Sequence, residues 1–163
     1  MVSLSMDVTA RKRAEQRLRD SERMFRAVLE ASPAAVSISD AAGRRLWVNS
    51  RMPEMFGQPL ERLIGGESWT ALADPAIRAD LIARIEAGER IMDFEVEVRR
   101  PDGSSFWALV SHEPIEYEGR PARLSWAYDI TSVKEAERAL RDANRQLYEL
   151  SQAKSAFLAN ISH

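Results

Sequence analysis

Residues 93–130 read DFEVEVRRPDGSSFWALVSHEPIEYEGRPARLSWAYDI, and this stretch decides the fold. Phe94, Val96 and Val98 alternate with Glu95 and Glu97, the period of a strand with one buried face. Asp102-Gly103 within RPDGS is a hairpin turn. FWALVSHEPI is a second strand ending near Pro114, YEGR turns the chain again, and ARLSWAYDI is a third. Strands joined by such short turns pair antiparallel.

Upstream, AVSISD (35–40) alternates and RLWVN (45–49) follows a DAAGRR turn, giving two more strands. Between the two strand groups the chain reads as short helices. One spans Ser50 to Gly57, broken turns surround Pro59, Gly65 and Gly66, and a longer helix opens at Asp74-Pro75. Asp74 suits the N-cap and Pro75 the first helical position. Ile77, Leu81, Ile82 and Ile85 form its apolar face and Gly88 ends it. The predicted class is α+β: a five-stranded antiparallel sheet with short helices on one face. The inner face of such a sheet can hold a small ligand. Val36, Ile38, Phe56, Phe94, Val96, Leu109 and Trp126 are the expected lining.

Helices flank this unit. Arg11 to Glu30 places Ala14, Leu18, Ser21, Phe25 and Val28 on a heptad seam, and Ser32-Pro33 stops it. Beyond the last strand, Ser132 with Glu135 reads as a capping box. The seam then runs Val133, Ala136, Leu140, Ala143, Leu147, Leu150, Lys154, Phe157, Ile161. Its alternating steps of three and four predict a parallel two-chain coiled coil, with Lys154 as a polar seam residue. In that register Ile161 is an a position and His163 a c position, on the outward face.

The chain repeats itself. VSLSMDVTARKRAEQRLRD (2–20) lies over LSWAYDITSVKEAERALRD (124–142), with nine of 19 positions identical. Self-similarity of this kind marks a repeated unit. Residues 1–9 are therefore expected to be the last strand of an upstream domain, cut short, followed by a linker helix at 10–31. The central domain is then 32–131, the signalling helix 132–153, and 154–163 the start of a further unit.

Composition narrows the function. A net charge of −2 argues against nucleic-acid binding, which needs a basic surplus. With no cysteine, disulfides, thiolate metal sites and cysteine nucleophiles are excluded. No apolar run approaches the ~20 residues of a membrane helix, so no membrane contact is expected for this segment. No cluster of histidines and carboxylates suggests a metal site.

Residues 22–142 resemble a PAS domain with its flanking helices. The resemblance rests on RAVLEASPAAVSISDAAGRRLWVN, the RRPDGSSFW hairpin and the closing YDITSVKEAE. The last ten residues, KSAFLANISH, resemble the phosphoacceptor box of sensor histidine kinases up to its histidine. That resemblance implies a cytoplasmic segment of a two-component sensor kinase in which His163 receives a phosphoryl group. Asp129 and Thr131 would relay movement of the sheet into the helix. The same resemblance implies a homodimer through the flanking helices, with a kinase ATP-binding domain and a response regulator as further partners. The larger kinase would use ATP and Mg. The segment itself, without an ATP-binding domain, is not expected to be an enzyme.

The cofactor, if any, is left open. Flavin-adduct PAS chemistry needs a cysteine. Haem-binding relatives generally use a histidine on the long helix before the last three strands, and Ala76 to Ala87 has none. His112 is expected to be a hydrogen-bonded or exposed strand histidine. Two other functions remain open on the sequence: a ligand-free dimerisation spacer, and a PAS sensor feeding a cyclase-type effector.

Overall fold

The computed structural model describes residues 2–162, with side chains from Leu4 onward. In chain order the elements are α1 (Val2–Glu30), β1 (Ala35–Asp40), β2 (Arg45–Val48), α2 (Arg51–Phe56), α3 (Leu60–Leu63) and α4 (Pro75–Glu86). Then come β3 (Ile91–Arg99), β4 (Ser105–Tyr117), β5 (Arg120–Asp129) and α5 (Thr131–Ile161). The five strands form one antiparallel sheet in the order β2-β1-β5-β4-β3, as the alternation and turn residues predict.

β4 and β5 stay in register from Ala108 opposite Asp129 to Tyr117 opposite Arg120. Their two-residue turn, Glu118-Gly119, has both residues at positive φ (51° and 72°). That conformation matches the twist of the flanking strands, and Gly119 adopts it without a Cβ penalty. At the β3–β4 turn, Asp102 accepts a hydrogen bond from the Ser104 N–H at 2.8 Å, a local side-chain turn that fixes the hairpin.

One sheet face carries the core. Phe106, Ala108 and Val110 of β4, Ala127 of β5, Ala35 of β1 and Val96 and Val98 of β3 point inward. They pack beneath Met52 and Phe56 of α2, Leu63 of α3, Leu81 and Ile85 of α4, and Trp69 and Leu72 from the intervening loop. Phe56 and Phe106 meet edge to face at 5.5 Å. Each large side chain buried this way contributes roughly 1.5–3 kcal/mol. Asp74 caps α4 as predicted, accepting from the Ala76 and Ile77 N–H groups at 2.8 and 3.3 Å.

Two helical details depart from the sequence reading. Residues 2–8, expected as a strand, are the first turns of α1. Among the described residues no strand pairs with them, and an unpaired strand leaves its N–H and C=O groups without protein partners that a helix supplies internally. At the other end α5 begins at Thr131, with no side-chain cap on its N-cap residue Ile130, so the Ser132 capping box does not form. Thr131 is already engaged with β4, which starts the helix one residue early.

Both terminal helices run largely away from the sheet. No residue of α5 is buried. Leu140, Leu147, Phe157 and Ile161 are each 64% exposed, although all lie on one heptad seam. Leu18 and Val28 of α1 are exposed at 61%.

Candidate functional site

Under the helices, against the inner sheet face, lies a cavity of about 50 Å³. Its walls are mainly apolar: Ala35, Met52, Phe56, Leu72, Leu81 and Val110. Polar groups come from Ser37, Arg45, Ser68, His112 and Ser125. At roughly 10–15 Å³ for one water-sized group, the space suits a ligand of a few heavy atoms. It is far too small for a flavin or haem without rearrangement.

Arg45 enters the core through an irregularity in the β1–β2 pairing. Ser37 faces Val48, Ile38 faces Trp47, and then Ser39 faces Arg45, so Leu46 is the extra residue. A bulge of this kind re-aims a side chain. Arg45 is 6% exposed. Its Nη1 and Nη2 donate to the Glu67 and Ser68 carbonyls at 3.2 and 3.1 Å, while its buried Nε has no partner. Burial lowers the guanidinium pKa from its ordinary value. Burying an ion costs several kcal/mol that carbonyl contacts offset only in part.

His112 sits across the same space. It is 8% exposed, and its Nδ1 is 2.6 Å from Ser125 Oγ. The Trp69 ring lies 5.8 Å from the imidazole. Burial, and then the nearby Arg123 guanidinium, push the His112 pKa down to about 4, so the ring is neutral at pH 7. Trp69 in turn packs on Gly43. A Cβ at Gly43 would fall 2.5 Å from the indole Nε1, and φ there is +83°, so only glycine fits the turn.

The structure redistributes the predicted lining. Phe56 and Trp126 touch the cavity. Phe94 and Val96 belong to the inner core but not to the cavity wall. Val36 and Ile38 face the opposite side of the sheet. Ile38 lines a cleft with Phe25, Leu29 and Trp47, and Val36 a groove with Leu124, Trp126 and Tyr128. Leu109 alternates with the inward Ala108 and Val110 and is likewise turned away. The apolar alternation in β1 marks a covered outer face, and the small Ala35 and Ser37 leave room for the cavity. His112 is hydrogen-bonded, as expected of a strand histidine.

Two junctions tie the terminal helices to the sheet. At the entry, Asn49 is 1% exposed. Its Oδ1 accepts from the Val36 N–H at 2.9 Å, and its Nδ2 donates to the Leu29 and Ala34 carbonyls at 3.0 and 2.9 Å. Glu30 accepts from the Ser50 N–H at 3.0 Å. One buried amide thereby holds the end of α1, the loop and β1 together. At the exit, Asp129 Oδ1 accepts from the Thr131 N–H at 2.9 Å. Thr131 Oγ1 accepts from the Trp107 N–H at 3.0 Å, and the Ile130 N–H donates to the Trp107 carbonyl at 2.8 Å. Lys134, one turn into α5, pairs with Glu95 of β3 and lies 5.2 Å from the Trp107 ring. The start of α5 is thus fastened to two strands. His163 lies outside the described residues.

The order of elements, the sheet and the helix-covered inner face match a known family model, described as the PAS fold, over residues 23–126. The chain belongs to the PAS family. The C4-dicarboxylate transport sensor protein DctS of Rhodobacter capsulatus is 30% identical over 90% of this chain and 23% of its own length. The virulence sensor protein BvgS of Bordetella pertussis is 27% identical over the whole chain and 14% of its own length. The chain therefore spans less than a quarter of these curated relatives. Among solved structures, the PAS domain of an HTR-like protein from Haloarcula marismortui superposes with a TM-score of 0.60 at 27% identity. It covers 73% of this chain and 99% of that domain. A domain of a sensory box sensor histidine kinase/response regulator from Geobacter sulfurreducens gives 0.58 at 25% identity, over 69% of this chain and 96% of that one.

Within this PAS domain no described helix is long and apolar enough to cross a membrane. Among the described residues no group of three or more histidines and carboxylates is placed to hold a metal. Sequence reasoning missed Arg45 and Ser125 as cavity residues. Only the bulge at Leu46 brings Arg45 inward, and strict alternation carries no sign of it.

Proposed function

We propose that the chain is the signal-sensing and dimerisation segment of a cytoplasmic two-component sensor histidine kinase. Its PAS domain, residues 32–131, relays its state through the helix at 132–153 to the phosphoacceptor box at 154–163. The linker helix at 10–31 leads into this unit. The observation that carries the reading is the exit junction. Asp129, Thr131 and Trp107 bind the sheet to a helix whose whole apolar seam is exposed. A second copy paired along that seam would cover it, and the sensor proteins named above support a signalling role. The larger kinase would bring the ATP-binding domain, with ATP and Mg, and a response regulator would take the phosphoryl group from His163.

The test uses a longer chain that continues into an ATP-binding kinase domain. Radiolabelled ATP labels the wild type and leaves His163→Gln unlabelled. Retained label in that variant rejects His163 as the acceptor.

A second reading, a ligand-free dimerisation spacer, is favoured by the smallness of the cavity. Native mass spectrometry separates the two, since a stoichiometric co-purified small molecule contradicts a spacer.

A further inference from the structure

The buried guanidinium of Arg45 has no counter-ion. Among the described residues it takes part in no ion pair. Its two Nη groups are held by carbonyls that leave its positive charge uncompensated. Its Nε–H is buried without an acceptor, although buried donors are almost always satisfied. This side chain forms part of the cavity wall, next to the hydroxyl-bearing Ser37, Ser68 and Ser125. A second guanidinium, that of Arg123, lies 5.7 Å from the centre of the Trp69 ring, another part of that wall. His112, hydrogen-bonded to Ser125, adds an imidazole to the wall, and the rest of it is apolar.

We infer that the cavity is a binding site for a small monocarboxylate, whose carboxylate pairs with Arg45 and whose short apolar part rests among Met52, Phe56, Leu72 and Leu81. A carboxylate supplies both missing elements at once, a negative charge and an acceptor for Nε–H. The apolar walls discriminate against heavily hydrated inorganic anions. The volume of about 50 Å³ limits the ligand to about three to five water-sized groups. This inference deepens the sensor reading by naming what the PAS domain would sense. Binding is measured on this chain alone, so it can fail while His163 labelling stands, and the reverse.

The probes are sodium acetate and sodium propionate, with acetamide and propionamide as neutral matches of shape, at constant ionic strength. The readouts are the Arg45 Nε–H and Trp69 indole N–H resonances of the 163-residue wild type. The expected result is a saturable shift of both resonances with at least one carboxylate and none with the amides. Arg45→Met should weaken that carboxylate by about tenfold or more, read at the Trp69 resonance. Arg45→Lys, which keeps the charge, should retain partial binding. No saturable response to any carboxylate overturns the inference, as does an equal response to the amides. If Arg45→Met does not fold, the contrast between carboxylate and amide in the wild type decides alone.

Discussion

Thr131 Oγ1 accepts a hydrogen bond from the Trp107 backbone N–H at 3.0 Å, so the exit helix begins as a side-chain continuation of the sheet's ladder. Replacing Thr131 by alanine leaves that N–H without its protein acceptor. The expected loss is about 1 kcal/mol in chemical denaturation, and Thr131→Ser should recover most of it. A serine variant as weak as the alanine variant would assign the effect to the lost methyl group instead.

Asn49 makes three hydrogen bonds from a site that is 1% exposed. Asn49→Ala strands the Val36 N–H and two carbonyls, and should cost about 3 kcal/mol. Hydrogen exchange should rise first at Val36 and at the C-terminal turn of α1. Exchange that rises evenly over the whole sheet would contradict a local clamp.

The seam of α5 should dimerise the chain. Sedimentation of the wild type is expected to give a two-chain mass that depends on concentration. Leu147→Glu, at a seam position 64% exposed in the single chain, should yield monomer with the PAS fold retained by circular dichroism. A monomeric wild type at high micromolar concentration would remove the coiled coil.

His112 gives the fold a predictable acid limb. Its pKa is about 4 in the folded chain against 6.5 as the ordinary value, so between those values the unfolded state binds more protons. The stability from keeping the ring neutral is full above pH 6.5 and is lost as pH falls from there toward 4. The whole effect is at most about 3 kcal/mol. His112→Gln can keep a hydrogen bond to Ser125 without titrating, and should flatten the stability profile over this window. Parallel profiles for wild type and variant would show that the imidazole titrates normally.

Much of this was legible in the residues, for identifiable reasons. The alternation of Phe94, Val96 and Val98, the Asp102-Gly103 turn and the Asp74-Pro75 helix start are local signals, and each led to the right element. The faces of β1 were harder. Val36 and Ile38 look like core because they are apolar, yet their outer face is covered by the end of α1 and by neighbouring strands. The small residues between them look unimportant but form the cavity wall. Arg45 was illegible because a buried arginine breaks the usual burial rule, and only three-dimensional pairing reveals the bulge. Residues 2–8 repeat the sequence of the closing strand, but among the described residues no strand pairs with them, and without a partner they do not make one.

If α5 relays the state of the PAS domain, the heptad phase of its seam must be kept. That dependence is read in the rate of His163 labelling by ATP in a longer chain extended through a kinase domain, with residues inserted in α5 between Asp142 and Leu147. A seven-residue insertion keeps the heptad phase, and a four-residue insertion rotates the seam. Near wild-type labelling is expected with seven inserted residues and a clear change, up or down, with four. Equal labelling in wild type and both insertions would contradict it.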